Sequence, residues 1–262
     1  MTDDPLDGST RPSLVAVVAH PDDEVLIAGG TLALAARAGT PTGVICLTRG
    51  ERGPVAAGSL RAGETLADAR TREIGDAAGV LGVGWVQCMD RPDGAILGED
   101  AAAIAREVAA YLCPHGPSVL LTFGPDGLYG HPDHVATRRI VIAAARLLTR
   151  APVVLESAWR PGLMTELVAA AAARDLPVDL WGLEPESFGA PRASVLVTID
   201  VRRVAAHKVR ALAAHRTQFH PEHLLAALPD DLARQYLGQE TWAGAARDLD
   251  GAGRLRALLG AA

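Results

Sequence analysis

The chain has 262 residues, 49% of them hydrophobic and 21% charged, enough apolar material for one large α/β domain or a domain with a modest addition. Its net charge of −6 argues against a nucleic-acid binder, which needs a basic face. No uncharged apolar run approaches the ~18 residues of a membrane span, and residues 1–12 hold no apolar core of a signal peptide.

Residues 1–12, acidic and polar, read as a disordered lead, and 13–262 as a single domain. Ser13-Leu14-Val15-Ala16-Val17-Val18 is too uniformly apolar for a half-exposed strand, so it reads as a central strand buried on both faces. It runs into Ala19-His20-Pro21-Asp22-Asp23-Glu24, and a helix follows to Ala38 with Gly39 placed to cap it. Pro21 fixes φ and supplies no N–H, which suits a helix start. A second buried strand, 42–48, ends at the polar loop Arg49-Gly50-Glu51-Arg52-Gly53. A helix is predicted over 62–78 and a third strand over 83–89, with Asp90-Arg91-Pro92-Asp93-Gly94 at its exit. Residues 99–112 are Ala-rich and helical, and 118–123 make a fourth strand. After Gly124 to His134 come a helix to about Thr149 and a fifth strand over 152–159. Strand and helix alternating in this way predict a parallel sheet covered on both faces.

Residues 160–193 break the rhythm and read as an insertion or lid edge. Beyond them lie a late strand (194–200), a helix (204–217) and a mostly helical, amphipathic tail from Glu222. The fold class expected is α/β, a Rossmann-like, parallel-dominated sheet with helices on both faces and a helical C-terminal extension. Cys46, Cys88 and Cys113, an odd number in or beside apolar runs, read as buried free thiols of a reducing cytoplasm.

The first strand's exit carries an imidazole and three carboxylates in the crevice where open parallel sheets bind ligands. Acids in a helix's first turn are common, because the dipole favours them. That does not explain a His directly after a buried strand followed by two adjacent Asp, whose charges repel unless a cation lies between them. The pattern returns after the fourth strand as His131-Pro132-Asp133-His134. A lone His there is more often a cap or a satisfied polar group, but two imidazoles one helical turn apart can face a single pocket. Imidazole and carboxylate are what Zn²⁺ takes, and a catalytic site holds three protein ligands with a position left for water. His20, Asp23 and His134 could supply the three, leaving Asp22 to accept a proton from the water and His131 to face the substrate.

On these motifs the sequence resembles the PIG-L (LmbE-like) zinc-dependent N-deacetylases, which act on N-acetylglucosaminyl lipids and on mycothiol and bacillithiol precursors. The resemblance spans roughly 13–220 and is supported by Thr48-Arg49-Gly50-Glu51, the helix with Arg70 and Glu73, and Ala214-His215-Arg216-Thr217-Gln218. It implies His20, Asp23 and His134 as zinc ligands and Asp22 as general base. His131 would stabilise the oxyanion or protonate the leaving amine, with Asp133 orienting or tuning it. Tyr129 matches a tyrosine near the substrate carbonyl in the mycothiol-pathway members. Arg70 and Glu51 match positions near the sugar or its substituent. Arg49 and Arg52 read as a clamp for a polar substrate or as a solvated face. The segment between the second strand and Arg70 is shorter than in the mycothiol-pathway members, which leaves an inositol-linked substrate open.

The expected activity is therefore removal of an N-acetyl group from a small amino-sugar substrate by metal-activated water. Zn²⁺ is the expected cofactor, with Fe²⁺ an alternative because imidazole suits both. No nucleic acid or membrane span is expected, the location is cytoplasmic, and a homo-oligomer stays open. One rival is an amidase of the same family cutting a larger thiol or sugar conjugate; another is a catalytically silent metabolite binder. A nucleotide-binding Rossmann enzyme fails, since no Gly-x-Gly-x-x-Gly follows the first strand. Glu24 reads as steadying the helix start or a histidine, and His215 and Gln218 as rim or packing residues. Trp85, Trp159, Trp181 and Trp242 read as core or lid packing rather than sugar platforms, and Lys208 and Asp200 as surface or helix-end groups.

Overall fold

The computed structural model describes residues 11–191, 195–220, 222–245 and 250–260. Residues 1–10 of the expected lead, and Ser194 at the start of the expected late strand, lie outside them.

In chain order the elements are β1 (Ser13–Val18), α1 (Asp23–Arg37), β2 (Thr42–Thr48), α2 (Leu66–Leu81), β3 (Trp85–Arg91), α3 (Ala101–Leu112), β4 (Pro117–Thr122), the short turn α4 (Gly127–Gly130), α5 (Pro132–Leu147), β5 (Val153–Ser157), α6 (Leu163–Ala172), β6 (Val197–Asp200), α7 (Ala205–Ala214), α8 (Asp230–Tyr236), β7 (Gln239–Gly244) and α9 (Gly251–Leu258). The strands form one seven-stranded sheet in the order β3-β2-β1-β4-β5-β7-β6. β1 to β5 pair in parallel, whereas β7 runs antiparallel to both β5 and β6. Every residue of β1 and β2 is buried, so apolar cover lies on both faces of the sheet, as their unbroken apolar runs require. α1, α2 and α7 pack together in one helical group and α3 with α5 in another. The α/β class with a parallel-dominated sheet is therefore as expected.

This order sets up the site. Winding from β1 goes to β2 and β3 on one side and to β4 and β5 on the other. The carboxyl ends of β1 and β4 thus flank the switch point, where a crevice opens. Both His-Pro-Asp motifs leave from those two strand ends.

The five expected parallel strands are all present; the C-terminal third differs. Gln239–Gly244, in the tail read as helical, is a strand. Its sequence lacks an apolar run, because Glu240 is buried against polar partners while Trp242 is fully buried in the core. Lys208, read as a surface group, is buried and pairs with Glu240 at 2.7 Å. Of the cysteines only Cys46 is buried; Cys88 is half-buried and Cys113 exposed, and all three are free thiols.

Candidate metal centre and active site

His20 leaves the end of β1, Asp23 opens α1, and His134 lies in the first turn of α5, where Pro132 starts the helix. Their donor atoms meet: His20 Nδ1 is 3.3 Å from an Asp23 carboxylate oxygen and 3.3 Å from His134 Nε2. His134 Nε2 is 3.3 Å from the other Asp23 oxygen. All three residues are buried.

The remaining ring atoms fix the protons. His134 Nδ1 faces the Gly127 carbonyl at 3.1 Å, and a carbonyl can only accept, so that nitrogen carries the hydrogen. His20 Nε2 lies between carboxylates, 3.1 Å from Asp93 and 3.3 Å from Asp133, and is likewise a donor. In their neutral forms the two rings therefore aim bare lone pairs at each other beside a carboxylate, an arrangement that repels unless a cation sits among them. Donors about 2.0–2.1 Å from a tetrahedral cation are roughly 3.3 Å apart, the spacing of His20 Nδ1 and His134 Nε2, and each of these nitrogens has its own Asp23 oxygen at the same distance. Burial opposes charge on His20, but Asp133, Asp23 and Asp93 outweigh it and hold its pKa well above the usual imidazole range. Burial likewise opposes charge on Asp23, yet His134 and His20 keep its carboxyl well below the ordinary value. His134 also stacks on Phe123, ring centroids 4.0 Å apart and planes 7° from parallel.

The outer shell of His20 is built from two further strand ends. Asp133 is completely buried, and its carboxylate accepts from the N–H groups of Gly94 (2.7 Å) and Ile96 (3.1 Å). Asp93 accepts from the Arg52 N–H at 2.9 Å, and its own N–H donates to Glu51 at 2.8 Å. Such partners fix a ligating imidazole's tautomer and orientation.

Asp22 stands beside the three donors with φ at 122°, a left-handed region that L residues rarely adopt. Glu24 holds it there by accepting the Asp22 N–H at 2.9 Å, and the other Glu24 oxygen meets His215 Nε2 at 2.8 Å. Burial opposes a proton on His215, but the Glu24 charge and hydrogen bond leave its pKa raised. Arg70 donates to the Asp22 carboxylate at 3.1 Å, to the Pro21 carbonyl at 2.5 Å and to the Gly50 carbonyl at 2.9 Å. Gly53 lets this guanidinium come close: a Cβ there would lie 2.5 Å from Arg70 Nη1 and 2.9 Å from Gln218 Oε1. Burial pushes the Asp22 pKa up to about 7, against the pull of Arg70 and with that of Asp23.

His20, Asp22, Asp23, Arg70 and Asp93 line a cleft of about 390 Å³ together with Leu26, Arg52, Pro54, Tyr129, His131, Trp181, Leu183 and Gln218. His131 caps α5, its Nδ1 accepting the Asp133 N–H at 3.2 Å, which leaves the proton on Nε2. Burial, then the neighbouring His134 and His20, lower its pKa to about 4. Burial and the nearby Asp23 and Asp22 raise that of the Tyr129 phenol. At neutral pH both groups are uncharged and hold a proton.

The family profile described as PIG-L, GlcNAc-PI de-N-acetylase, matches residues 15–145, the stretch that carries every group above from His20 to His134. A 1D-myo-inositol 2-acetamido-2-deoxy-alpha-D-glucopyranoside deacetylase of Rhodococcus opacus is 34% identical over 92% of this chain and 95% of its own. The chain belongs to the PIG-L family. It is a hydrolase of the N-deacetylase type. A second relative with the same printed activity, from Catenulispora acidiphila, is 31% identical over 89% of this chain and 88% of its own. Among solved structures, the N,N'-diacetylchitobiose deacetylase of Pyrococcus horikoshii shares the fold at a TM-score of 0.55, with 20% identity over 87% of this chain and 74% of that one.

Of the sequence candidates in this PIG-L chain, His20, Asp22, Asp23, His131, Tyr129 and Arg70 come together at the cleft, and His134 lies buried against His20 and Asp23. Asp133 reaches it indirectly: its carboxylate faces His20, and only its backbone N–H meets His131. Arg49, read as a substrate clamp or a solvated face, turns away to Asp68 (2.5 Å) and Thr71 (3.0 Å) on α2, while Arg52 lines the cleft. Glu51 holds the Asp93 N–H and is not part of the lining. Asp93 itself was missed, since Pro92-Asp93-Gly94 reads as turn chemistry. Its place at the exit of β3, beside two other strand ends rich in polar groups, was the available signal. Trp181, read as packing, is a lining residue.

Proposed function

We propose that this PIG-L chain hydrolyses the acetamide of an N-acetylglucosamine unit joined to inositol, giving acetate and the free amine. One observation carries the reading: the facing imidazole nitrogens of His20 and His134 are 3.3 Å apart, each 3.3 Å from an Asp23 oxygen, with the Asp22 carboxylate on the same cleft. His20, Asp23 and His134 would hold a divalent cation, Zn²⁺ or Fe²⁺, which when bound acidifies water and polarises the amide carbonyl.

The chain's own residues supply the proton traffic. Asp22 accepts the proton of the attacking water, and a pKa of about 7 suits a group that must both take and return one near neutrality. Arg70 and the Glu24–His215 pair hold its carboxylate and backbone in place. Tyr129 O–H and His131 Nε2–H, both protonated, donate toward the oxygen that becomes negative, and one such donor is commonly worth ~3 kcal/mol. His131, with its pKa lowered to about 4, has no second proton to give at pH 7, so Asp22 returns its proton to the leaving nitrogen. Asp93 and Asp133 act through His20, fixing its tautomer.

The inositol-linked substrate is supported by two relatives of that printed activity, aligned over 95% and 88% of their lengths despite the short segment before Arg70. No described helix is long and apolar enough to cross a membrane, and three free thiols favour the reducing cytoplasm. The test is acetate release by the metal-loaded protein from N-acetylglucosaminyl-inositol, N-acetylglucosamine and N-acylated thiol conjugates. Acetate from the first at the highest kcat/KM is the expected result. Amine release from the thiol conjugates alone would mean an amidase for larger substrates, and tight binding without turnover a silent homologue.

A further inference from the structure

The segment 179–189 forms one wall of the cleft and is tied down at both ends. Leu224 N–H donates to the Asp179 carbonyl at 3.1 Å, and Gly189 N–H to the Leu128 carbonyl at 2.8 Å. Near its second end Phe188 packs against the Tyr129 ring, centroids 5.2 Å apart. Near its first end stands Trp181, whose backbone is left-handed at φ 56°. An L residue stays there only when its surroundings over-determine it. They do: the Asp179 carboxylate accepts from the N–H groups of Trp181 and Gly182, both at 3.2 Å. The indole N–H donates to the Gln218 carbonyl at 3.2 Å, while the ring packs against His223 (centroids 4.3 Å) and Phe219 (5.0 Å).

A rigid aromatic ring thus lines a cleft whose other polar groups serve the acetamide. The lining also holds the apolar Leu183 and Pro54, besides the polar Asp22, Arg70, Asp93 and His131 of the reacting groups. Gln218 ties Trp181 to the reacting groups: its carbonyl takes the indole N–H, its Nε2 donates to the Pro54 carbonyl at 2.8 Å and its Oε1 lies against Gly53 beside Arg70. Cyclic polyols present C–H faces with hydroxyls at their edges, and a flat indole with a polar rim matches that shape.

We propose that Trp181 is a specificity-determining platform on which the second ring of a two-ring substrate, the cyclic polyol carried by the N-acetylated sugar, stacks. This rests on the N-deacetylation of such a conjugate proposed above. Because the ring is fixed before substrate arrives, little ordering cost is left to binding.

The test compares wild type, Trp181→Ala and Trp181→Phe on N-acetylglucosamine, its inositol glycoside and its octyl glycoside, with metal content checked for each protein. Trp181→Ala is expected to lower the ratio of kcat/KM for the inositol glycoside over that for the single ring about tenfold, through KM. Trp181→Phe is expected to restore most of the ratio. An unchanged ratio, or an equal loss with the octyl glycoside, overturns the platform. If wild type releases acetate from none of the three, the deacetylation reading falls. Calorimetric Kd values for glucosaminyl-inositol then decide the platform: weaker binding by Trp181→Ala alone supports it, and equal or absent binding overturns it.

Discussion

Two of the buried charged clusters, at Glu240 and at His20, are opposite in character. At Glu240, one carboxylate oxygen accepts from Gly30 N–H (2.8 Å) and Lys208 (2.7 Å), the other from Thr31 N–H (2.8 Å) and Thr31 Oγ1 (2.6 Å). Every charge there is answered from within the chain, and the result pins α1 to β7 and α7. At His20, Asp23 and His134 the chain turns two imidazole nitrogens toward each other beside a carboxylate, donors that suit a divalent cation. A network of paired donors and acceptors holds a fold in one arrangement, whereas converging acceptors suit a bound cation.

The sharpest way to break that contrast is to remove a donor. His134→Ala is expected to lose the bound divalent cation and all measurable turnover, as read by metal analysis and acetate release. A chelator should lower the melting temperature of wild type and leave that of the variant in place. Next in size, Asp22→Asn should retain metal yet lose roughly 10²–10⁴ in kcat. The sign with pH follows from its role: below a pKa of about 7 Asp22 already carries a proton and accepts none, so the wild-type rate falls as pH falls. The Asn variant should show no such limb; a limb that persists assigns the base elsewhere.

The complete cluster should respond in the other currency. Glu240→Gln leaves the Lys208 charge buried without a partner, which costs about 3–5 kcal/mol in denaturant unfolding. The folded fraction should keep its metal and its kcat. A drop in kcat without loss of stability would erase the distinction between the two clusters. Smallest of all, Arg49→Ala should leave kcat/KM within about twofold, because the side chain serves an exposed pair with Asp68 on α2.

Much of the metal corner was legible in the sequence because its donors lie in two contiguous motifs at strand ends, where spacing alone brings them to one crevice. The parallel strands were legible for a related reason: β1 and β2 are buried throughout, so their composition is uniform. β7 was not, because its burial is satisfied by partners far away in sequence, Glu240 by Gly30, Thr31 and Lys208. Asp93 hides for the same reason, its partner His20 lying 73 residues earlier in the chain. Arg49 and Arg52 differ only in which way the loop after β2 turns, and no periodicity constrains a loop.

The twist at Asp22 has one more consequence. Its carboxylate is aimed by a backbone that only glycine enters freely, held against relaxation by Glu24 and Arg70. Glycine at that position would ease the chain and abolish the proposed proton acceptor in one stroke. Selection for robustness and selection for turnover therefore pull this residue in opposite directions, and a lineage freed from the second has an easy route to silence.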